Sequence, residues 1–258
     1  PVINALLLSI TTIINGQSMD LNIINSFLFH PREAYGKIGK NDMLIDVTDS
    51  VQVGARFHLI SKSAPTMLFF HGNGEIAPEY DDIANVYNQK NINFIIADFR
   101  GYGFSSGTPN VVNTQSDAHF ILDYVLKYLK EQNYSGPLVL MGRSLGSVSV
   151  LELAKRYPHD FSRLIIESGF ADEGPLFKII GITPEQVGFT KKDGFLNGEK
   201  INNYKGPLLV IHAEQGIGDE ILISSLYNEL FSRQKNLSIS CDKRLIKIFG
   251  RSFLGIDF

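Results

Sequence analysis

An α/β architecture, with a mostly parallel sheet covered by helices on both faces, follows from two features of this sequence. From residue 66 onward, apolar runs of strand length alternate with segments whose apolar residues recur at helical spacing. The runs are uniformly apolar, as in strands buried on both faces, and do not alternate as in a half-solvated sheet. Second, Gly142-Arg143-Ser144-Leu145-Gly146 joins one such run, Pro137–Met141, to a helical pattern over Ser147–Tyr157. Strand, tight turn and helix around a G-x-S-x-G pentapeptide is the context of a nucleophile elbow. Its glycines let strand and helix pack closely around a serine held in a strained backbone.

The elements follow in order. Asp42–Val47 and Val51–Ile60 carry alternating apolar residues, as an antiparallel hairpin at a sheet edge would. Thr66–Phe70 is the first continuous apolar strand, ending at His71-Gly72-Asn73-Gly74, and Pro78–Gln89 reads as a helix. Asn93–Ala97 is the next strand and Thr114–Gln132 the next helix. After the elbow come the strands Arg163–Ile166 and Pro207–Ile211, a helix over Ile221–Ser232, and a last strand over Leu245–Phe249. Between Ser168 and Pro207, residues 169–206 are rich in Gly, Phe and Lys and exceed a simple crossover. At the carboxyl end of a strand, such an insertion is expected to form a short cap over the site. One domain over residues 21–258 is expected, preceded by residues 1–20 without an assigned role.

Composition narrows the function classes. Of 258 residues, 44% are hydrophobic and 18 are Phe, enough for a large core; the net charge of −3 is small. Lys and Arg are scattered, which argues against nucleic acid or an anionic membrane as partner. The single cysteine, Cys241, excludes an internal disulfide framework and fits a reducing, cytoplasmic setting. Ala5–Ile14 is apolar but too short to span a bilayer, and no basic segment precedes it. The chain begins at Pro1 without a methionine and reads there as a fragment. The six histidines (His30, His58, His71, His119, His159, His212) show no metal-ligand spacing. Neither the His71–Gly74 loop nor Gly101-Tyr102-Gly103 completes a phosphate-binding pattern.

Acyl transfer by serine needs a nucleophile, a base, an orienting carboxylate and donors for the oxyanion. Ser144 supplies the nucleophile. The expected donors are backbone N–H groups, one from Leu145 directly after it and one from Asn73, in a Gly-rich loop that follows an earlier strand.

Five motifs carry a family resemblance: Phe70-His71-Gly72-Asn73-Gly74-Glu75, the Asp98–Pro109 segment, Met141–Ser147, Glu167–Asp172 and Ile211-His212-Ala213-Glu214. From about Phe27 to Ile256, the chain resembles the α/β-hydrolase superfamily, in particular its small serine hydrolases. The resemblance implies the α/β-hydrolase fold, a Ser–Asp–His triad in that chain order, no cofactor, and ester or thioester substrates. It also implies an H-A-E-x-D pattern after the Pro207–Ile211 strand. Here Gly216 takes the aspartate's place and the acid arrives at Asp219, as though Gly216-Ile217-Gly218 were inserted before it. Asp219 is equally placed for a helix N-cap, and Asp172 and Glu214 are the reserve acids. Where the resemblance places the triad histidine stands Phe253, and no histidine follows His212. The chain also stops at Phe258, short of the implied final helix. A truncated or altered C-terminus, or a protein that has lost its base, accounts equally for this.

The expected function is a cytoplasmic serine hydrolase of esterase or thioesterase type, acting on a small-molecule substrate and impaired in its general base. Two alternatives remain: a pseudoenzyme that binds a small ester or acid without turnover, and a peptidase of the same fold.

Overall fold

A computed structural model describes residues 25, 28–174, 177, 183–185 and 188–211, and the backbone of 239–240. Its eight strands form one sheet in the order β1-β2-β4-β3-β5-β6-β7-β8. They are β1 (Asp42–Thr48), β2 (Val51–His58), β3 (Thr66–Phe70), β4 (Asn93–Ala97), β5 (Leu138–Arg143), β6 (Arg163–Glu167), β7 (Leu208–Ile211) and β8 (Ile239–Ser240). β2 pairs antiparallel with β1 and with β4, and every other pairing is parallel. The expected edge hairpin and mostly parallel sheet are both present.

Uniform apolarity translates into burial on both faces. Every residue of β3 and β4 is buried. Alternate residues of these strands feed two cores. Leu68, Phe70, Ile95, Leu140 and Ile166 pack with Ile121, Leu122 and Val125 of helix α2 (Val111–Glu131) and with Val148 and Leu151 of helix α3 (Gly146–Arg156). On the opposite face, Met67, Phe69, Phe94, Ile96 and Met141 pack with Ala84 of helix α1 (Asp81–Gln89) and with Tyr80. Burial of such side chains is worth about 1.5–3 kcal/mol each, so the two cores dominate the stability of the domain.

Some boundaries differ from the sequence reading, each for a local reason. The expected Pro78–Gln89 helix divides into a 3₁₀ turn, Ala77–Tyr80, followed by α1. Helix α2 starts ahead of Thr114, because Asn110 caps it. The Asn110 side chain accepts from the Asn113 N–H at 2.8 Å and the Asn113 side chain accepts from the Asn110 N–H at 2.8 Å, a reciprocal cap built from two asparagines. Beside β7 stands Ile239–Ser240. The expected helix over Ile221–Ser232 and the expected strand over Leu245–Phe249 lie outside the described residues.

The register positions the site. Ala97, Phe70, Gly142, Ile166 and Val210 form one row of partners across five parallel strands. The chain therefore leaves β4, β3, β5, β6 and β7 at a common edge, the carboxyl end at which open α/β sheets bind ligands.

Candidate active site

Ser144 sits one residue past β5 with φ +49°, in the left-handed region that a non-glycine residue enters at a cost. The surroundings hold it there. Its N–H donates to the Glu167 carbonyl at 2.8 Å, and its own carbonyl accepts from the Ser147 N–H at 3.0 Å and the Ser147 hydroxyl at 2.6 Å. Both flanking glycines are required by contact. A Cβ on Gly146 would run into the Phe70 carbonyl, and one on Gly142 into the Gly146 carbonyl. Helix α3 thus starts directly against the end of β3, which brings Ser144 and Leu145 alongside the loop that begins at His71.

A second serine repeats the arrangement one strand over. Ser168, one residue past β6, also has φ +49°, and its N–H donates to the Ile211 carbonyl of β7 at 2.8 Å.

Asn73 lies in the turn after β3, between Gly72 and Gly74, the latter at φ +74°. Its side chain is fully engaged. The Asn73 Oδ1 accepts from the Tyr102 hydroxyl at 2.6 Å and the His30 N–H at 2.9 Å, while Nδ2 donates to the Leu28 carbonyl at 3.0 Å. Any oxyanion contact from Asn73 must then come from its backbone N–H. Among the described residues, no backbone carbonyl accepts from the N–H of Asn73 or of Leu145.

Beneath this loop is a polar cluster that the sequence reading did not assemble. Arg143, the residue before Ser144, reaches Glu75 at 2.9 Å and lies 3.8 Å from Glu167. Glu75 folds back to accept from the Gly72 N–H at 2.7 Å and from the Tyr80 hydroxyl at 2.5 Å. Burial, above all, pushes the Glu167 carboxyl up; Arg143 opposes the shift and Glu75 adds to it. Burial likewise raises the Tyr80 hydroxyl, with help from Glu75. Both Arg143 and Glu75 belong to motifs quoted above, but only the β3–β5 pairing reveals that they meet.

His71 belongs to the scaffold of the site. It is fully buried, with Nε2 3.0 Å from Asp98 Oδ1 and Nδ1 2.7 Å from the Gly72 carbonyl. The described part of the 169–206 insertion is moored at its base. The buried Glu173 carboxylate accepts from the Phe195 N–H, and Asn197 donates to the Phe170 carbonyl at 2.9 Å. In helix α4 (Asn197–Asn203), the buried Lys200 ammonium reaches Glu152 of α3 at 2.8 Å and Gln115 of α2 at 2.5 Å. Burial pulls Lys200 down. The Glu152 carboxyl is held at about 2, by His119 first and by Lys200 and Lys155 after it, against the opposing effect of burial.

The structure therefore brings together Ser144, Leu145 and Asn73. Asp172, a reserve acid, is exposed at the carboxyl end of β6 and accepts from the Gly174 N–H at 2.8 Å. Asp219, Glu214, His212 and Phe253 lie outside the described residues, as does Cys241. Among the described residues, no helix is long and apolar enough to cross a membrane.

A family model described as serine aminopeptidase, S33, matches residues 61–186. Protein bem46 of Schizosaccharomyces pombe is 31% identical over 110 residues, 42% of this chain and 36% of that protein. The mouse alpha/beta hydrolase domain-containing protein 17C is 30% identical over 164 residues, 61% of this chain and 46% of that protein. The matches thus span less than half the length of these curated relatives. Among solved structures, Est1E from Butyrivibrio proteoclasticus is similar with a TM-score of 0.58 at 17% identity, over 82% of this chain and 96% of that one. The Pyrococcus furiosus esterase is similar with a TM-score of 0.59 at 18% identity, over 86% and 94%. The structural likenesses show that the chain has the α/β-hydrolase fold, and the family match and the curated relatives support its place in the α/β-hydrolase superfamily.

Proposed function

We propose that this chain is a serine hydrolase that forms an acyl-enzyme on Ser144 from a small carboxylic ester or thioester, in a cytoplasmic setting. The observation that carries the reading is the left-handed Ser144 at the start of α3, packed against the loop that presents Asn73. In the reaction, Ser144 Oγ attacks the carbonyl carbon and, with no imidazole at the place of Phe253, its proton passes to water. The carbonyl oxygen takes the negative charge, facing the N–H groups of Leu145 and Asn73. Collapse expels the alcohol or thiol, and water then releases the acid. Asp219 is the orienting carboxylate in this reading, and Phe253 stands at the base's place. A phenyl ring cannot take a proton. Loss of a triad member costs on the order of 10⁶ in turnover, while oxyanion donors and binding retain about 10³–10⁴ over water. The chain is therefore expected to hydrolyse activated esters feebly.

The test is labelling by a fluorophosphonate probe, with Ser144→Ala as the comparison. Label on the parent chain that vanishes in Ser144→Ala supports the reading; label that survives the substitution rejects it. Equally weak label on both supports the alternative of a pseudoenzyme that binds its ligand without turnover. A second reading, peptidase activity, is favoured by the description of the family model that matches residues 61–186. Release of an amino-terminal residue from a peptide in preference to p-nitrophenyl acetate hydrolysis would select it.

A further inference from the structure

We propose that Arg143 is a positioning residue that fixes the Asn73 N–H relative to Ser144 through its ion pair with Glu75; this rests on the reading of Ser144 as nucleophile. Several ties hold the loop that carries Asn73: the Asn73 side chain itself, the Arg32 guanidinium, which donates to the Gly74 carbonyl at 2.6 Å, and the Glu75 carboxylate. On the outer side, the Asn73 side chain is bound to Leu28, His30 and Tyr102. On the inner side, among the described residues, the cation paired with Glu75 is Arg143: its Nη1 lies 2.9 Å from Glu75 Oε1, while the same carboxylate takes the Gly72 N–H at 2.7 Å. Glu75 thereby converts a contact with the residue before the nucleophile into a hold on the residue before Asn73. A Cβ at Gly72 would lie 2.9 Å from Glu75 Oε2, so a side chain there would push the carboxylate back.

The electrostatics make the tie sensitive to Arg143 in particular. Glu75 and Glu167 approach one guanidinium from two sides, and the Arg143 side chain is only 22% exposed. Without that cation, two carboxylates share a half-buried site, and one of them, Glu75, is in the loop. Glu167 is part of β6, whereas Glu75 lies in a turn closed by one weak backbone hydrogen bond, Glu75 N–H to the Gly72 carbonyl at 3.4 Å. Loss of Arg143 is therefore expected to move the loop and to leave the strands in place. Loss or misplacement of one oxyanion donor typically costs about 10²–10³ in the chemical step.

The experiment is a double-mutant cycle on Arg143→Gln and Glu75→Gln, read as the rate and half-saturation concentration of Ser144 phosphonylation by a fluorophosphonate. Phosphonylation needs the oxyanion donors and does not wait on deacylation. Each single substitution is expected to lower the maximal rate about 10²-fold with half-saturation within about twofold, and the double to be no slower than either single. Arg143→Lys, which keeps the charge, is expected to recover part of the loss. Effects that multiply in the double variant, a rate unchanged by Arg143→Gln, or a loss confined to half-saturation would overturn the proposal. If Arg143→Gln does not fold, Arg143→Lys with Glu75→Gln completes the same cycle. Retained label on Ser144→Ala would instead reject the nucleophile, so the two failures are distinguishable.

Discussion

His71 Nε2 and Asp98 Oδ1 stand 3.0 Å apart with both side chains sealed from water. His71 is the first residue after β3 and Asp98 the first after β4, so the pair ties together two loops at the carboxyl edge of the sheet. Asp98 Oδ1 also accepts from the Ala77 N–H at 2.8 Å, and Gly103, at φ +58°, lies so close to Oδ2 that no side chain fits there. His71→Phe would leave the buried Asp98 carboxylate with the Ala77 N–H but without the imidazole. Losing a hydrogen bond to a buried charged group in this way costs about 1.5–3 kcal/mol. Denaturant melts of the two proteins measure it, and a loss below about 1 kcal/mol would show that the pair is not structural.

The elbow glycines give a second prediction. Gly146→Ala drives a methyl group into the Phe70 carbonyl, and Gly142→Ala drives one into the Gly146 carbonyl. Neither obstacle is a flexible side chain, so the cost falls at or above the upper end of the usual overpacking range, about 3 kcal/mol. Thermal unfolding of each variant checks this. A melting point unchanged in Gly146→Ala would mean that α3 does not start against β3 as described.

Asn73 and Tyr102 should respond unequally to substitution. Asn73→Ala strands the buried Tyr102 hydroxyl proton, at about 1–3 kcal/mol for a donor left unpaired, while the His30 N–H keeps the Tyr102 oxygen at 2.9 Å. Tyr102→Phe removes one of two donors to Asn73 Oδ1 and one of two acceptors of the His30 N–H, leaving each with a partner, so its cost is nearer about 1 kcal/mol. Equal losses would contradict the hydrogen-bond assignment.

The Glu152 carboxyl titrates at about 2 when folded, below the ordinary value of 4.5, with His119 the largest cause. A carboxyl depressed by folding stabilises above its unfolded pKa, and that contribution is lost as pH falls through the folded pKa. The stability advantage of the parent chain over Glu152→Gln is therefore expected to be full at pH 6 and to shrink between about 4.5 and 2. Melts across that range measure the difference. An advantage that stays constant down to pH 2 would remove Glu152 from the acid response.

The sheet was legible because its strands are short, apolar and punctuated: Thr66–Phe70 ends in His-Gly, and Leu138–Arg143 in the elbow. The elbow was legible because its five residues join a strand to a helix; Gly142 answers to Gly146 and Val150 nearby, whereas Gly146 answers to the distant carbonyls of Phe70 and His71. The start of α2 was not, since the cap pairs Asn110 with Asn113, where the usual pattern places Glu or Gln at the third position. Nor was the role of Arg143. A charged residue beside a nucleophile reads as a solvated position until the pairing of β3 with β5 places Glu75 next to it. Lys200 was hidden for the same reason. On a short helix whose other polar residues are mostly Asn, nothing local announces that its one ammonium is buried against Glu152.

The paired left-handed serines have a consequence for how such a site can change. The Ser144 N–H is fastened to the end of β6, and the Ser168 N–H to the end of β7. The two fastenings act in series, like treads of one stair, so Ile211 stands at a fixed offset from Ser144. The chain that continues past Ile211 departs from a surveyed origin. Residues gained or lost beyond that point leave the origin itself unmoved. If Asp219 is the orienting acid, as proposed, length after β7 adjusts how far it reaches back, while the seat of Ser144 stays where β6 puts it.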